Sequence, residues 1–252
     1  MAMTENWFGE GVAERYDESA AEMFDPAVVD PAVEFLAALA GDGAALELGI
    51  GTGRIAIPLS RRGVPVHGID LSPQMVAELR AKPGAEGIGV TVGDFATATV
   101  EGRFSLAYLV FNTINNLTTQ DGQVACFRNA AAHLEPGGRF VIEVGVPQLQ
   151  RLPPGETVRA FAVTPAYLGF DEYDVANQGL ISHHYRIEDG QLRLVSMPFR
   201  YVWPAELDLM ARLAGLTLEE RWSGWRRQPL TGDSTSHVSV WRKPADPGQG
   251  SL

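Results

Sequence analysis

Residues 46–54 read Leu46-Glu47-Leu48-Gly49-Ile50-Gly51-Thr52-Gly53-Arg54. An apolar strand runs into a turn with glycine at every second position, and a helix is predicted to begin at Arg54. Glycine takes positive φ without steric penalty and lets a ligand approach the backbone closely. A turn of this shape at a helix N-terminus can hold pyrophosphate on its N–H groups. Glu47 argues against that ligand: a carboxylate beside the turn repels phosphate and attracts an ammonium. The ligand is therefore expected to be cationic at one end and to carry no phosphate.

The elements around this stretch alternate. Residues 12–40 are predicted helical, with Ala32, Val33, Phe35, Leu36 and Leu39 on one apolar face and Pro31 at a helix start. Strands are predicted at 44–48, 64–69, 88–92, 104–111 and 139–144, with helices at 54–62, 72–81 and 123–134. Ser72 is a candidate N-cap, and Pro136-Gly137-Gly138 turns the chain into the fifth strand. After 146 the pattern changes. Segments 180–188 and 192–202 flank Asp189-Gly190, a hairpin signal. A helix at 204–214 and strands at 216–222 and 236–242 close the chain.

The predicted fold is α/β: a Rossmann-like, doubly wound, seven-stranded and mostly parallel sheet carrying an inserted antiparallel flap. Ligands of such sheets bind beyond the carboxyl ends of the strands. A single domain over 1–252 is expected. It comprises a helical cap (1–40), a cofactor-binding half (41–146), a flap over the acceptor site (147–203), a closing helix and strands (204–243) and a disordered tail (244–252).

Composition narrows the partners. The formal net charge of −11 opposes nucleic-acid and anionic-membrane binding. The only cysteine, Cys126, sits among Val124, Ala125 and Phe127 and reads as a buried, unreactive thiol. A disulfide framework and a cysteine-based zinc site are thus excluded, and no metal is expected. Residues 1–11 lack the pattern of a secretory leader, and no apolar run approaches the ~20 residues that span a bilayer. A cytoplasmic protein is expected, with room left for a homodimer.

Three further features define the ligand. Asp70 ends the second strand, 21 residues after Gly49, an offset that suits hydrogen bonding to a ribose diol. Gly93-Asp94-Phe95 ends the third strand. There a carboxylate can accept from an exocyclic amine while an aromatic ring flanks a purine. Leu71 and Met75 are placed to cover the other face of that ring. An amino-acid end, a ribose and an adenine together describe S-adenosylmethionine.

On Glu47-x-Gly49-x-Gly51-x-Gly53, Asp70, Gly93-Asp94-Phe95 and Pro136-Gly137-Gly138, taken in order, residues 12–145 resemble the class I S-adenosylmethionine-dependent methyltransferases. The resemblance implies that the glycine turn passes the methionine portion and that Glu47 helps place its ammonium. It also implies that Asp70 holds the ribose and that Asp94 with Phe95 meets the adenine. Glu14-Arg15-Tyr16-Asp17 matches a pattern of bacterial small-molecule members in which the tyrosine closes over the methionine end. Arg54 is a candidate partner for the cofactor carboxylate, and Phe111 a further cofactor contact. The product would be S-adenosylhomocysteine.

The acceptor is less explicit. Residues 111–117, Phe-Asn-Thr-Ile-Asn-Asn-Leu, follow the fourth strand, where class I enzymes place acceptor-facing groups. Neither Asn-Pro-Pro-Tyr nor Asp-Pro-Pro-Tyr is present, which disfavours methylation of exocyclic amines on nucleic acid or of protein glutamine. The segment is more similar to amino-sugar N-methyltransferases of natural-product pathways. Some of those carry histidine where this chain has Asn116, so here the residue can only orient an acceptor. Candidate acceptor contacts are Asn112, Asn116, His184, Arg200 and Trp203, and His184 and Asn116 are the candidates for a catalytic role. Strand alternation puts His183 and His184 on opposite faces. The expected reaction is methyl transfer to N or O of a small molecule. The competing readings are a non-catalytic protein that binds the cofactor or its product, and an NAD(P)-dependent oxidoreductase. Arg54 occupies the place of the last glycine of the dinucleotide fingerprint and speaks against the oxidoreductase.

Overall fold

The computed structural model describes residues 9–188 and 190–245. The chain opens with α1 (Glu10–Ala13), α2 (Tyr16–Ser19), a 3-10 turn over Ala21–Phe24 and the long α3 (Pro26–Ala40). There follow β1 (Ala45–Leu48), α4 (Ala56–Arg61), β2 (Val66–Asp70), α5 (Pro73–Arg80), β3 (Gly89–Val92), β4 (Phe104–Leu109), a 3-10 turn over Thr113–Asn116, α6 (Gln120–His133) and β5 (Leu134–Gly145). A 3-10 turn at Leu149–Arg151 leads into β6 (Val158–Val163), β7 (Tyr167–Asp174), β8 (Gly179–Glu188) and β9 (Gln191–Arg200). The chain returns through α7 (Pro204–Leu213), β10 (Thr217–Trp222) and β11 (Ser236–Arg242).

The main sheet has seven strands in the order β10-β11-β5-β4-β1-β2-β3. β1 to β5 pair in parallel, and β11 is antiparallel to both β5 and β10. Every residue of β1 is buried, as expected of a central parallel strand covered on both faces. Two cores result. Leu46, Leu48, Phe127, Phe140 and Trp241 fill one face, with Phe127 meeting Phe140 and Trp241 edge-on at 5.0 and 5.3 Å. Leu36, Ile55, Leu59, Tyr108 and Val240 fill the other. Chain order reverses between β1 and β4, and the carboxyl ends of those strands open a crevice there. Cys126 lies in the first core, where burial pushes its thiol pKa up.

Several local expectations are corrected. The 12–40 segment is helical as expected and divides into two short helices, a 3-10 turn and α3, but its helix start is not at Pro31. The long helix begins five residues before Pro31: Asp25 caps it by accepting from Ala27 N at 2.8 Å, and Pro26 is its first residue. Pro31 therefore lies inside α3. α6 starts three residues earlier than expected because Thr119 caps it through Gly122 N. β5 runs through Pro136-Gly137-Gly138 instead of starting after it, with a register shift against β4.

The second sheet is antiparallel, in the order β6-β7-β8-β9. Its last two strands correspond to the expected hairpin, while β6 and β7 were not anticipated. Asp189 and residues 246–252 of the expected tail lie outside the described residues. Among the described residues no helix is long and apolar enough to cross a membrane.

Candidate active site

The turn after β1 takes the shape that its glycines allow: Gly49, Gly51 and Gly53 have φ of 79°, 54° and 83°. At Gly49 space matters as well, because a Cβ there would lie 2.5 Å from Thr113 Cγ2. The segment after β4 can thus pack directly on the turn. Gly53 leaves room for Ile57 and Leu79.

Asp70 ties this turn to the next strand. Its Oδ2 accepts from Gly51 N at 2.7 Å, and its Oδ1 accepts from Ser72 N at 2.9 Å. Each oxygen keeps a lone-pair direction for a ligand hydroxyl. Burial raises the Asp70 pKa, and the two backbone donors oppose that shift. Ser72 caps α5 by accepting from Met75 N at 3.2 Å, as its sequence position predicted. Asp94 closes its own turn by accepting from Ala96 N at 2.8 Å.

Glu47 is 2% exposed and accepts from the Tyr108 hydroxyl at 2.9 Å. Burial pushes its pKa up to about 8, with the Tyr108 hydrogen bond and the charge of Arg54 pulling the other way. Much of this carboxyl is protonated near neutrality, and a cation brought against it would favour the ionised form.

The N-terminal helices reach over the turn. Thr52 Oγ1 donates to Asp17 Oδ1 at 2.6 Å, and Asp17 also pairs with Lys82. Lys82 Nζ donates to Thr52 O at 2.8 Å, which closes the triangle. Arg54 donates to Met23 O at 3.2 Å, and its guanidinium lies 5.1 Å from the Phe111 ring centre. Tyr16 is held mostly out of water, and burial raises its pKa.

Phe111 and Asn112 both have positive φ, 55° and 61°. Two consecutive non-glycine residues in this region store backbone strain, and neighbouring groups must hold them there. Glu143 on β5 does so. Its Oε2 accepts from Phe111 N at 3.0 Å and its backbone O accepts from Asn112 N at 3.2 Å. Asn112 Oδ1 accepts in turn from Gly145 N at 2.6 Å. Trp225 Nε1 donates to the other Glu143 oxygen at 3.0 Å.

These groups surround a cavity of about 340 Å³ at the carboxyl ends of β1, β2 and β4. Of the residues singled out in the sequence, the structure brings together Tyr16, Glu47, Gly49, Gly51, Arg54, Asp70, Leu71, Met75, Asp94, Phe95, Phe111, Asn112 and Asn116. Gly53, His184, Arg200 and Trp203 lie outside the lining. Arg200 is buried and occupied elsewhere: it donates to Gln123 and Gln178 and pairs with Glu206 at 2.7 Å. His184 meets Tyr167 Oη at 2.8 Å and Ser182 Oγ at 3.2 Å within the flap.

The flap instead sends Met197 and Phe199 into the cavity. Sequence reasoning missed both. Their signal was the period-two run Val195, Met197, Phe199 on β9, which marks one face of the strand. Val110 was missed in the same way, while Thr113 and Leu117 lie in the expected acceptor-facing segment 111–117 without having been singled out individually.

The donor set fits S-adenosylmethionine: a buried carboxyl beside a glycine turn, a carboxylate at the end of β2, and an apolar slot of Leu71, Met75 and Phe95. The methyltransferase-domain family profile matches residues 45–138, the stretch from β1 into β5. The chain belongs to the class I S-adenosylmethionine-dependent methyltransferases. The solved CcbJ methyltransferase from Streptomyces caelestis is 38% identical, with a TM-score of 0.80 over 90% of this chain and 96% of that one. The cypemycin N-terminal methyltransferase of Streptomyces sp is 28% identical over 242 residues, 89% of this chain and 96% of that protein. The fold is shared with CalS10, an amino pentose methyltransferase from Micromonospora echinaspora solved with S-adenosylmethionine bound. That structure has a TM-score of 0.67 at 21% identity, over 90% of this chain and 96% of that one.

Proposed function

We propose that the enzyme methylates a nitrogen or oxygen of a small molecule, and that it works by placing the acceptor in line with the methyl group and keeping water out. The observation that carries this reading is the uneven chemistry of the cavity. Its ionisable groups, Tyr16, Glu47, Arg54, Asp70 and Asp94, cluster around the glycine turn and the ends of β2 and β3. The wall made by Val110, Phe111, Asn112, Thr113, Asn116, Leu117, Met197 and Phe199 has no ionisable side chain.

When bound, S-adenosylmethionine supplies a methyl group on a sulfonium, already activated for displacement. In this reading Glu47 and the turn meet its ammonium, Arg54 its carboxylate, Asp70 its ribose, and Asp94 with Phe95, Leu71 and Met75 its adenine. Tyr16 covers the methionine end. Asn112 and Asn116 orient the acceptor, and Phe111, Met197 and Phe199 enclose it in a dry slot. Orientation of this kind supplies much of a barrier reduction without proton transfer by the protein. An acceptor that is a neutral amine at working pH needs no base, which favours nitrogen over an unactivated hydroxyl. By name, one relative is an N-terminal methyltransferase and one structural neighbour an amino pentose methyltransferase, which supports that preference. The chain functions as one unit, with 147–203 covering the acceptor end.

The test is incubation with S-adenosylmethionine and a panel of amine- and hydroxyl-bearing metabolites, read by mass spectrometry. Gain of one methyl on an amine, with S-adenosylhomocysteine formed in equal amount, is the expected result. Product binding by calorimetry without transfer to any panel member would favour the non-catalytic reading instead.

A further inference from the structure

Helix α6 turns an apolar face to the first core through Cys126, Phe127, Ala130 and Ala131. Gln123 stands one turn earlier on the same face and is just as buried, with 0% exposure. An apolar side chain would fill this position at lower cost. An amide buried so deeply destabilises the fold unless its N–H groups and its oxygen all find partners. The partners it has therefore show what it does.

Those partners lie on two distant pieces of chain. Gln123 Nε2 donates to Ile114 O at 3.3 Å and to Arg200 O at 3.1 Å, and its Oε1 accepts from the Arg200 guanidinium. A carbonyl only accepts and a guanidinium only donates, so the amide can face one way alone. Both pieces build the wall of the cavity that lacks ionisable groups. Ile114 belongs to the 3-10 turn that brings Thr113 and Asn116 to the cavity, and Arg200 follows Phe199 on β9. β9 is also the flap strand that packs on this turn. One side chain thus joins the two parts of the acceptor wall.

The joint is braced from outside. Arg200 donates to Gln178 Oε1 at 3.2 Å and pairs with Glu206 at 2.7 Å. Gln178 and Gln120 each donate to Glu206, at 2.8 and 2.7 Å. The carboxylate neutralises the guanidinium and holds it against Gln123. Apolar groups in contact can slide, whereas directed bonds from one amide fix both distance and angle. A displacement on the order of 1 Å in such a wall alters how an acceptor meets the methyl group.

We propose that Gln123 is a positioning residue for acceptor selection: it sets the spacing between residues 113–117 and Met197–Phe199, and with it the shape of the acceptor slot. The inference rests on the reading of this wall as the acceptor end. Gln123→Leu keeps the volume and removes all three bonds. Gln123→Glu keeps a partner for Arg200 but loses both donations to the carbonyls. The full chain is compared by calorimetry with S-adenosylhomocysteine, by hydrogen exchange, and by kinetics on those panel amines that accept a methyl group. Both variants should bind the product within about twofold of wild type and exchange about tenfold faster over 113–117 and 196–200, with 46–53 unchanged. Acceptor KM should rise about tenfold while kcat falls less than about threefold, and the preference between a slim and a bulky amine should narrow. If Gln123→Leu fails to fold, as judged by loss of product binding, Gln123→Glu carries the test. A Gln123→Glu enzyme that matches wild type overturns the proposal, because the amide would then serve Arg200 alone. Faster exchange with unchanged KM and preference overturns it as well. Methylation of no panel amine removes the acceptor reading together with this one, whereas methylation with unaltered KM in both variants removes this one alone.

Discussion

The glycine turn and the flap build opposite walls of one cavity by different physics. The turn is held by backbone and charge: positive φ at three glycines, Asp70 bridging Gly51 and Ser72, and a buried Glu47 bonded to Tyr108. Few side chains satisfy such constraints, so the wall determines its ligand closely. The flap wall is made by Met197 and Phe199 on a sheet strand, held from behind by the Arg200–Glu206 pair. Many apolar residues fill such a wall equally well, and it constrains shape more than identity. The family therefore shares a methyl donor and can diversify its acceptors.

Asp70→Ala offers the largest break in this comparison. It removes the proposed ribose contact and also the tie that shapes the turn. Affinity for S-adenosylhomocysteine should fall by roughly 2–3 kcal/mol, thirtyfold or more, by calorimetry. An affinity within threefold of wild type would detach Asp70 from the cofactor.

Protonation of Glu47 gives the next effect. Its pKa is raised from the ordinary 4.5 to about 8. Between those values the folded, ligand-free chain holds a proton that the unfolded chain has lost, so this carboxyl makes stability fall as pH rises through that window. Binding an ammonium favours the ionised form. Cofactor affinity should therefore tighten by up to about tenfold per pH unit from pH 6 to about 8 and level off above. Glu47→Gln should flatten the profile. A wild-type profile already flat from pH 6 would contradict the role of Glu47.

On the flap side, Phe199→Ala should raise the acceptor KM by about five- to tenfold, near 1 kcal/mol, with product affinity unchanged. A matching loss of cofactor affinity would show that the two walls do not divide the labour. The smallest effect is expected at His184. It is tied to Tyr167 and Ser182 outside the cavity lining, so His184→Ala should alter turnover by less than about twofold. A tenfold fall would extend the acceptor site along the Met197–Phe199 face of the flap as far as His184.

The same division separates what was legible beforehand from what was not. The alternation of strands and helices from 44 to 144 predicted the parallel sheet, because buried strands and amphipathic helices each leave a local hydrophobic period. β6 and β7 left a weaker trace: β6 is largely exposed and its pairing is broken by a bulge between Ala160 and Ala162, and β7 buries only Gly169. Pro31 misled because proline marks helix starts, whereas Asp25 and Pro26 had already supplied one. Asn112 was singled out for its polarity, but its left-handed backbone and its bond to Gly145 came only with the fold.

Sequence alone determined the methyl donor. Glu47, the glycines, Asp70 and Asp94-Phe95 are residue types that a backbone turn and a nucleoside require, and their identities carry the information wherever they stand. Tertiary structure alone decided which flap residues face the cavity. A strand has two faces one residue apart. The choice between Arg200 and Phe199 was made by burial of the guanidinium against Glu206 and Gln123, groups on α7 and α6 that no local pattern places beside β9.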